Sequence, residues 1–163
     1  MGQTLLVLCA MMLLALVVLQ ANGLILSKYS QTYDMHATLE AVSVAEAKLD
    51  DVVRKAYDEK SIAKKIYNPS DFTAVASIGA EAGETSPAQY DDIDDFNNAT
   101  VTFSTPTLDN FTIVYAVNYV SESNPDAVSS SPTFFKRVKV TVTNPSMQHE
   151  VVSSRLVVYR RYQ

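Results

Sequence analysis

From Leu5 to Leu19 the chain is an uninterrupted apolar run, and Leu24 to Leu26 resume it after Gln20, Ala21, Asn22 and Gly23. This stretch of 22 residues is long enough to cross a hydrocarbon core, which takes roughly 20 residues. A cleaved secretory signal has an apolar segment of only ~7–15 residues, led by basic residues and closed by a small-x-small site. Here no basic residue precedes the run, and Leu19-Gln20-Ala21 is a poor cleavage site. The expectation is a retained anchor. Helical periodicity then continues from Met35 through Leu39, Val42, Ala45, Leu49, Val52, Val53 and Ala56, with steps of three and four that mark one apolar stripe. Lys28, Asp34, Glu40, Lys48, Asp51 and Lys55 lie off that stripe, and no proline occurs before Pro69. Gly23 is tolerable inside a transmembrane helix. The pattern predicts one helix from about Thr4 to about Asp58, ~80 Å long at 1.5 Å per residue. A compact domain of this size has no use for such a helix, and a filament does.

Between about Ser61 and Ala99 the chain turns polar and turn-rich: Asn68-Pro69-Ser70-Asp71, Gly79, Gly83 to Pro87, and Asp91 to Asn98. A long connection with one short strand at Ala74–Ile78 is expected. After it the period becomes two. Val101 and Phe103 alternate with threonine, and Phe111, Ile113, Tyr115, Val117 and Tyr119 share one strand face. Phe134, Val138, Val140 and Val142 share another. Val152, Leu156 and Val158 mark the last strand, opposite Arg155, Tyr159 and Arg161. Four β-rich runs separated by turn clusters make an antiparallel meander. One sheet face needs an apolar cover, and the distal half of the helix can supply it. The fold class expected is α+β, a long N-terminal helix packed on a four-stranded antiparallel sheet. Its parts are residues 1–27 (membrane half of the helix), 28–60 (amphipathic half), 61–99 (connection) and 100–163 (β head).

Charge sharpens this division. None of the 13 Lys+Arg or 18 Asp+Glu precedes Lys28, so the formal charge of -5 belongs to the soluble part. An acidic head argues against nucleic acid, which needs a basic face. Lys28 weakly favours a cytoplasmic head by the positive-inside rule, but large domains translocate largely regardless of charge. The expected orientation is head outside. The sole cysteine, Cys9, lies in the apolar run and reads as an apolar helix residue.

Candidate chemistry is sparse. Asp91, Asp92, Asp94 and Asp95, with Asn97 and Asn98, offer oxygen ligands along a loop, a donor set suited to Ca²⁺. They lack the EF-hand spacing, and the other reading is a solvated turn whose side chains cap backbone amides. His36 and His149 have no nucleophile or carboxylate arranged near them by any catalytic motif, so no enzymatic activity is expected. Asn98-Ala99-Thr100 and Asn110-Phe111-Thr112 match the glycosylation triplet. Tyr29 and Tyr33 sit where an interfacial belt would lie. Gln20 and Asn22 suit either hydration near the interface or hydrogen bonds to neighbouring helices.

Taken together, Gly2-Gln3 ahead of Thr4-Leu5-Leu6-Val7-Leu8, the long helix, the acidic segment Tyr90 to Asn97, and the late strands Phe135 to Val142 and Arg155 to Tyr159 resemble the type IV pilin-like family, in particular minor pilins and pseudopilins. The resemblance implies cleavage between Gly2 and Gln3 by a prepilin peptidase. The leader Met1-Gly2 departs from the family in having no basic residue. The early acid of major pilins would fall near Val7, which is neutral, and its absence leans towards a minor subunit. Some pseudopilin heads hold calcium in an acidic loop, so the resemblance extends to Asp91, Asp92, Asp94 and Asp95. It further implies inner-membrane anchoring, then packing of Leu5, Leu8, Leu13, Leu14, Val17, Gln20 and Asn22 against other pilin-like subunits, delivered through an inner-membrane assembly platform. The head would then stand in the periplasm or at the cell surface. The rival reading is a single-pass, membrane-tethered β-rich binding module that is not assembled.

Overall fold

The computed structural model describes residues 2–160. Its first element, α1, spans Gly2–Val53, 52 residues. Leucine is its commonest residue, followed by alanine and valine, and no proline interrupts it, so local propensity on balance favours helix. Thr32 and Ser43 turn their hydroxyls back onto the carbonyls of Lys28 and Leu39, which satisfies them without leaving the helix. One apolar window of α1 is long enough to cross a membrane, and it touches nothing else in the fold.

From Asp34 onward α1 meets the head. Ala37, Ala41, Val44, Ala45, Leu49 and Val52 are its buried residues. This stripe differs from the one expected at its proximal end: Leu39 is 68% exposed and Val42 43%. At about 100° per residue Leu39 lies about 150° around the helix from the centre of the buried face. The three alanines let the helix axis come close to the sheet, and bulkier residues are turned outward.

The helix also ends five residues before about Asp58. Ala56 is drawn into a bridge with the acidic loop: its N–H donates to the carbonyl of Asp91 (3.2 Å) and its carbonyl accepts from Ile93 (2.9 Å). Asp58 then caps a second short helix, α2 (Glu59–Ala63), through the N–H of Lys60, the usual role of an aspartate there.

Residues 64–99 contain three single 3₁₀ turns, Pro69–Asp71, Val75–Ser77 and Asp94–Phe96. The strand expected at Ala74–Ile78 is one of them. Ser77 N–H closes on Ala74 O (2.8 Å), so the backbone pairs locally instead of joining a ladder.

The sheet follows as β1 (Thr100–Phe103), β2 (Phe111–Tyr119), β3 (Phe135–Thr143) and β4 (Val151–Val158), antiparallel and in sequence order. Asn98 and Asn110 precede β1 and β2 with φ of 63° and 65°, a left-handed conformation that asparagine tolerates better than most residues. On β2 all five expected residues face the core. On β4 the expected face is reversed: Val152, Leu156 and Val158 point outward, while Val151, Ser153, Arg155 and Val157 face α1. Register is the cause. Val138, Val140 and Val142 are buried and pair with Arg155, Ser153 and Val151, and residues directly opposite share a face. Arg155 reaches Glu46 and Asp50 of α1, and Ser153 donates to Glu46.

The main core joins Val44, Leu49 and Val52 to Ile93, Phe96 and the inward residues of β2 and β3. A second cluster beyond the end of α1 gathers Tyr57, Ile66, Phe72 and Tyr119, with Phe72 against Tyr57 (5.0 Å) and Tyr159 (5.1 Å).

Candidate functional site

Two features stand out from a generic α+β head: a bare apolar half-helix, and a set of buried charges beside the second aromatic cluster.

The half-helix carries no stripe. Leu5, Leu8, Leu13, Leu14 and Val17 are 67, 58, 65, 65 and 62% exposed, and they point in different directions around the axis. Gln20, Asn22 and Cys9 are exposed among them. A helix that is apolar all round is normally buried all round, in lipid or in a bundle.

The buried charges start from β3. Lys136 falls in line with Val138, Val140 and Val142 on the inward face and is completely buried. A buried ammonium needs a partner. Its Nζ lies 2.7 Å from Asp94 Oδ1 and 3.5 Å from Asp58 Oδ2, and it donates to the carbonyl of Tyr57 (2.6 Å). The rings of Tyr57 and Tyr119 lie over it at 4.3 and 4.9 Å, within cation–π range. Asp58 is as tightly held: Thr73 N–H and Tyr119 Oη donate to its Oδ2 (2.9 and 3.1 Å). This one network ties the segment between α1 and α2, the connection, β2 and β3 together.

The acidic loop closes around it. Asp92 Oδ1 accepts from the N–H groups of Asp94 and Asp95, and Asp95 Oδ2 from those of Asp91 and Asp92. The capping expected of a turn is therefore present, but the turn is not solvated: Asp92, Asp94 and Asp95 are buried and only Asp91 is exposed. Ion pairing and packing against the inner sheet face pull the segment inward. Burial, then the charges of Asp94 and Asp95, pushes the Asp92 carboxyl up to about 7. Burial also pushes Asp94 up to about 6, against the pull of Lys136. Desolvation raises the Tyr57 and Tyr119 hydroxyls, helped in each case by Asp94 and Asp58. Asp92 Oδ2, Asp94 Oδ2 and Asp95 Oδ1 are buried without a hydrogen-bond donor.

The four aspartates of the loop thus face different ways. Asp94 is committed to Lys136, whereas Asp95 comes together with Glu81 and Glu84, one carboxylate oxygen from each lying within 4.8 Å of the others. Sequence reasoning missed Glu81, Glu84, Asp58 and Lys136. A signal for Lys136 existed, because it alternates in phase with three inward valines.

Elsewhere, His36 sits 3.3 Å from Glu40. The hydroxyls of Thr105 and Thr107 donate to Glu40 and hold its carboxyl below the usual range. Asn98 and Asn110 of the glycosylation triplets are both exposed.

Comparison of the chain with protein-family models, with curated proteins and with solved structures finds no match.

Proposed function

We propose that the protein is a structural subunit of a type IV pilus-like or pseudopilus filament, held in the inner membrane by the first half of α1 before assembly. The observation that carries this reading is the continuity of α1. A half-helix apolar on every side passes without a break into a half-helix that is cemented to the sheet. At 1.5 Å per residue α1 is about 78 Å long. Such a rod transmits the position of the head to the packing of the apolar half, which a filament requires.

A tethered module needs only a flexible connection after the membrane. The stiff segment from Lys28 to Val53 has no purpose in that design. In the filament reading the apolar side chains exchange lipid for neighbouring subunits, Gln20 and Asn22 find partners on adjacent helices, and the acidic head forms the outer surface. The subunit does structural work, with other pilin-like subunits and an assembly platform as partners, and is not an enzyme.

The test is intact mass and N-terminal sequencing of protein from native membranes, with electron microscopy of material sheared from the cells. A chain beginning at Gln3 and present in sheared filaments supports the proposal. A chain that keeps Gly2 and stays wholly in the membrane favours the tethered module, and a start near Asn22 sinks both.

A further inference from the structure

Building on the filament reading, we infer that the α2 corner of one head docks into the groove between α1 and β4 of a second copy, end to end.

The groove lies where α1 enters the head. Met35, Leu39 and Val151 line it, and Asp34, His149 and Glu150 edge it, around a volume of about 400 Å³. Met35 and Leu39 are 66 and 68% exposed, because the alanine face of α1 has turned to the sheet and left them outside. The loops at this end are tied in place. Gln148 N–H donates to Asp34 Oδ1 (2.8 Å), which holds the β3–β4 loop against the helix. Asn144 Nδ2 donates to Asp109 O (2.8 Å), which brings the β1–β2 loop alongside. The end has one sign of charge. No lysine or arginine lies on α1 between Lys28 and Lys48, and the two loops add Asp109 and Glu150 and no base stronger than His149.

The corner lies at the opposite end of the head. Buried Ile66 fastens the segment after α2, its N–H donating to Tyr159 Oη (3.1 Å) at the end of β4. From Lys60 to Tyr67 the chain carries Lys60, Lys64 and Lys65 and no acid, and exposed Arg160 follows Tyr159. Ile62 and Tyr67 stand 52 and 63% exposed on this basic segment. Glu59, the acid of α2, faces the acidic loop instead, where the charge of Asp91, then burial, raises its carboxyl above the usual range.

The two surfaces match twice over. Exposed apolar side chains among cations meet an apolar groove edged with acids. In a chain of formal charge -5 copies repel one another, and opposite charges at the two ends of one head favour a single orientation of approach. The surfaces differ and lie at opposite ends, so the contact is heterologous. Each copy offers a corner to one neighbour and a groove to the next, and such contacts build open helical assemblies unless the rotation closes a ring. From Asp34 to Val53 the helix rises about 29 Å, so docked heads are offset by roughly that much along α1. Copies anchored side by side in one membrane stand at equal height, and the contact forms only as a copy leaves the bilayer.

The test is cross-linking in the cells that make the protein. On a Cys9→Ser background, a chain carrying both Leu39→Cys and Tyr67→Cys is treated with a bismaleimide. The sheared fraction should give a ladder of dimers, trimers and longer multimers, while the membrane fraction stays monomeric. Either cysteine alone should give no ladder. Lys64→Glu/Arg160→Glu should keep its membrane level and lower the sheared fraction at least about tenfold, since like charges brought together across an interface are costly. Adding Asp109→Arg/Glu150→Arg should restore it. A parent that yields a sheared fraction, with no ladder from the double-cysteine chain, overturns the docking and leaves the filament reading standing. Charge reversal without effect or without rescue does the same, as does cross-linking only to a chain of another mass, which gives the corner a different partner. A parent with no sheared fraction at all overturns the filament reading and this contact with it.

Discussion

Lys136 Nζ lies 2.7 Å from Asp94 Oδ1 with both side chains removed from water, so the head is built around an ion pair rather than an all-apolar junction. Asp58 shares the same ammonium at 3.5 Å. The pair links β3 to the acidic loop and, through Asp58, to the start of α2. Removing Lys136 strands two carboxylates, and breaking a buried pair by deleting one partner costs about 3–5 kcal/mol. Lys136→Met should therefore destabilise the head by about that amount in urea titrations followed by near-ultraviolet dichroism. Adding Asp94→Asn to Lys136→Met should recover part of the loss, a non-additivity expected of residues in one network. Strictly additive losses would mean that the two groups do not share a network.

Alkali should attack the same region. Burial raises the hydroxyls of Tyr57 and Tyr119, with Asp94 and Asp58 contributing, and pushes Tyr115 up to about 12 with help from Asp51. Unfolded tyrosine ionises near 10. A group whose folded pKa is raised supports the fold fully below its unfolded value and loses that support as pH climbs through the folded one. Stability should fall from about pH 10 upward. In an absorbance titration at 295 nm these three tyrosines should ionise together with loss of near-ultraviolet dichroism. Their ionisation in a still-folded head would contradict the burial described.

The face of α1 that meets the sheet can be checked by size. Ala41 and Ala45 are completely buried, and inserting methylenes into a packed core costs about 1–3 kcal/mol. Ala41→Leu and Ala45→Leu should each lower head stability by that much. Leu39→Ala, on the exposed side, should change it by no more than about 0.5 kcal/mol. Equal effects from Leu39 and Ala41 would put the helix in a different rotation.

The same helix shows what could and could not be read from sequence. Apolar continuity up to Leu26 and the absence of proline made α1 legible, and period-two alternation made β2 and β3 legible. The rotation of α1 was not legible, because leucine and valine at Leu39 and Val42 outweigh alanine on any hydrophobicity count. The sheet chose the alanines for close approach. On β4 the choice between faces was decided by pairing with β3: Val138 faces Arg155, and Arg155 bonds to acids on α1 that a strand pattern cannot see. The acidic loop was visible as composition, but its inward collapse depended on Lys136, 42 positions beyond Asp94. Glu81 and Glu84 reach Asp95 only through a turn whose position no local motif sets.

The filament and the tether part company at Gln20 and Asn22. Both lie on the exposed half of α1 among leucines and valines, so in lipid they are a modest burden and in a helix bundle they can bond across subunits. Such bonds average about 0.6 kcal/mol in membrane helices. The double change Gln20→Leu/Asn22→Leu removes them and makes the anchor more apolar. A tethered module should then stay at least as firmly in the membrane, with nothing else altered. A filament subunit should keep its membrane level while the sheared, sedimentable fraction falls, because each of many identical interfaces loses its polar contacts. Quantifying the two fractions by immunoblot separates these outcomes. An unchanged sheared fraction would mean that Gln20 and Asn22 are merely hydrated near the interface, and that packing rests on apolar contact alone.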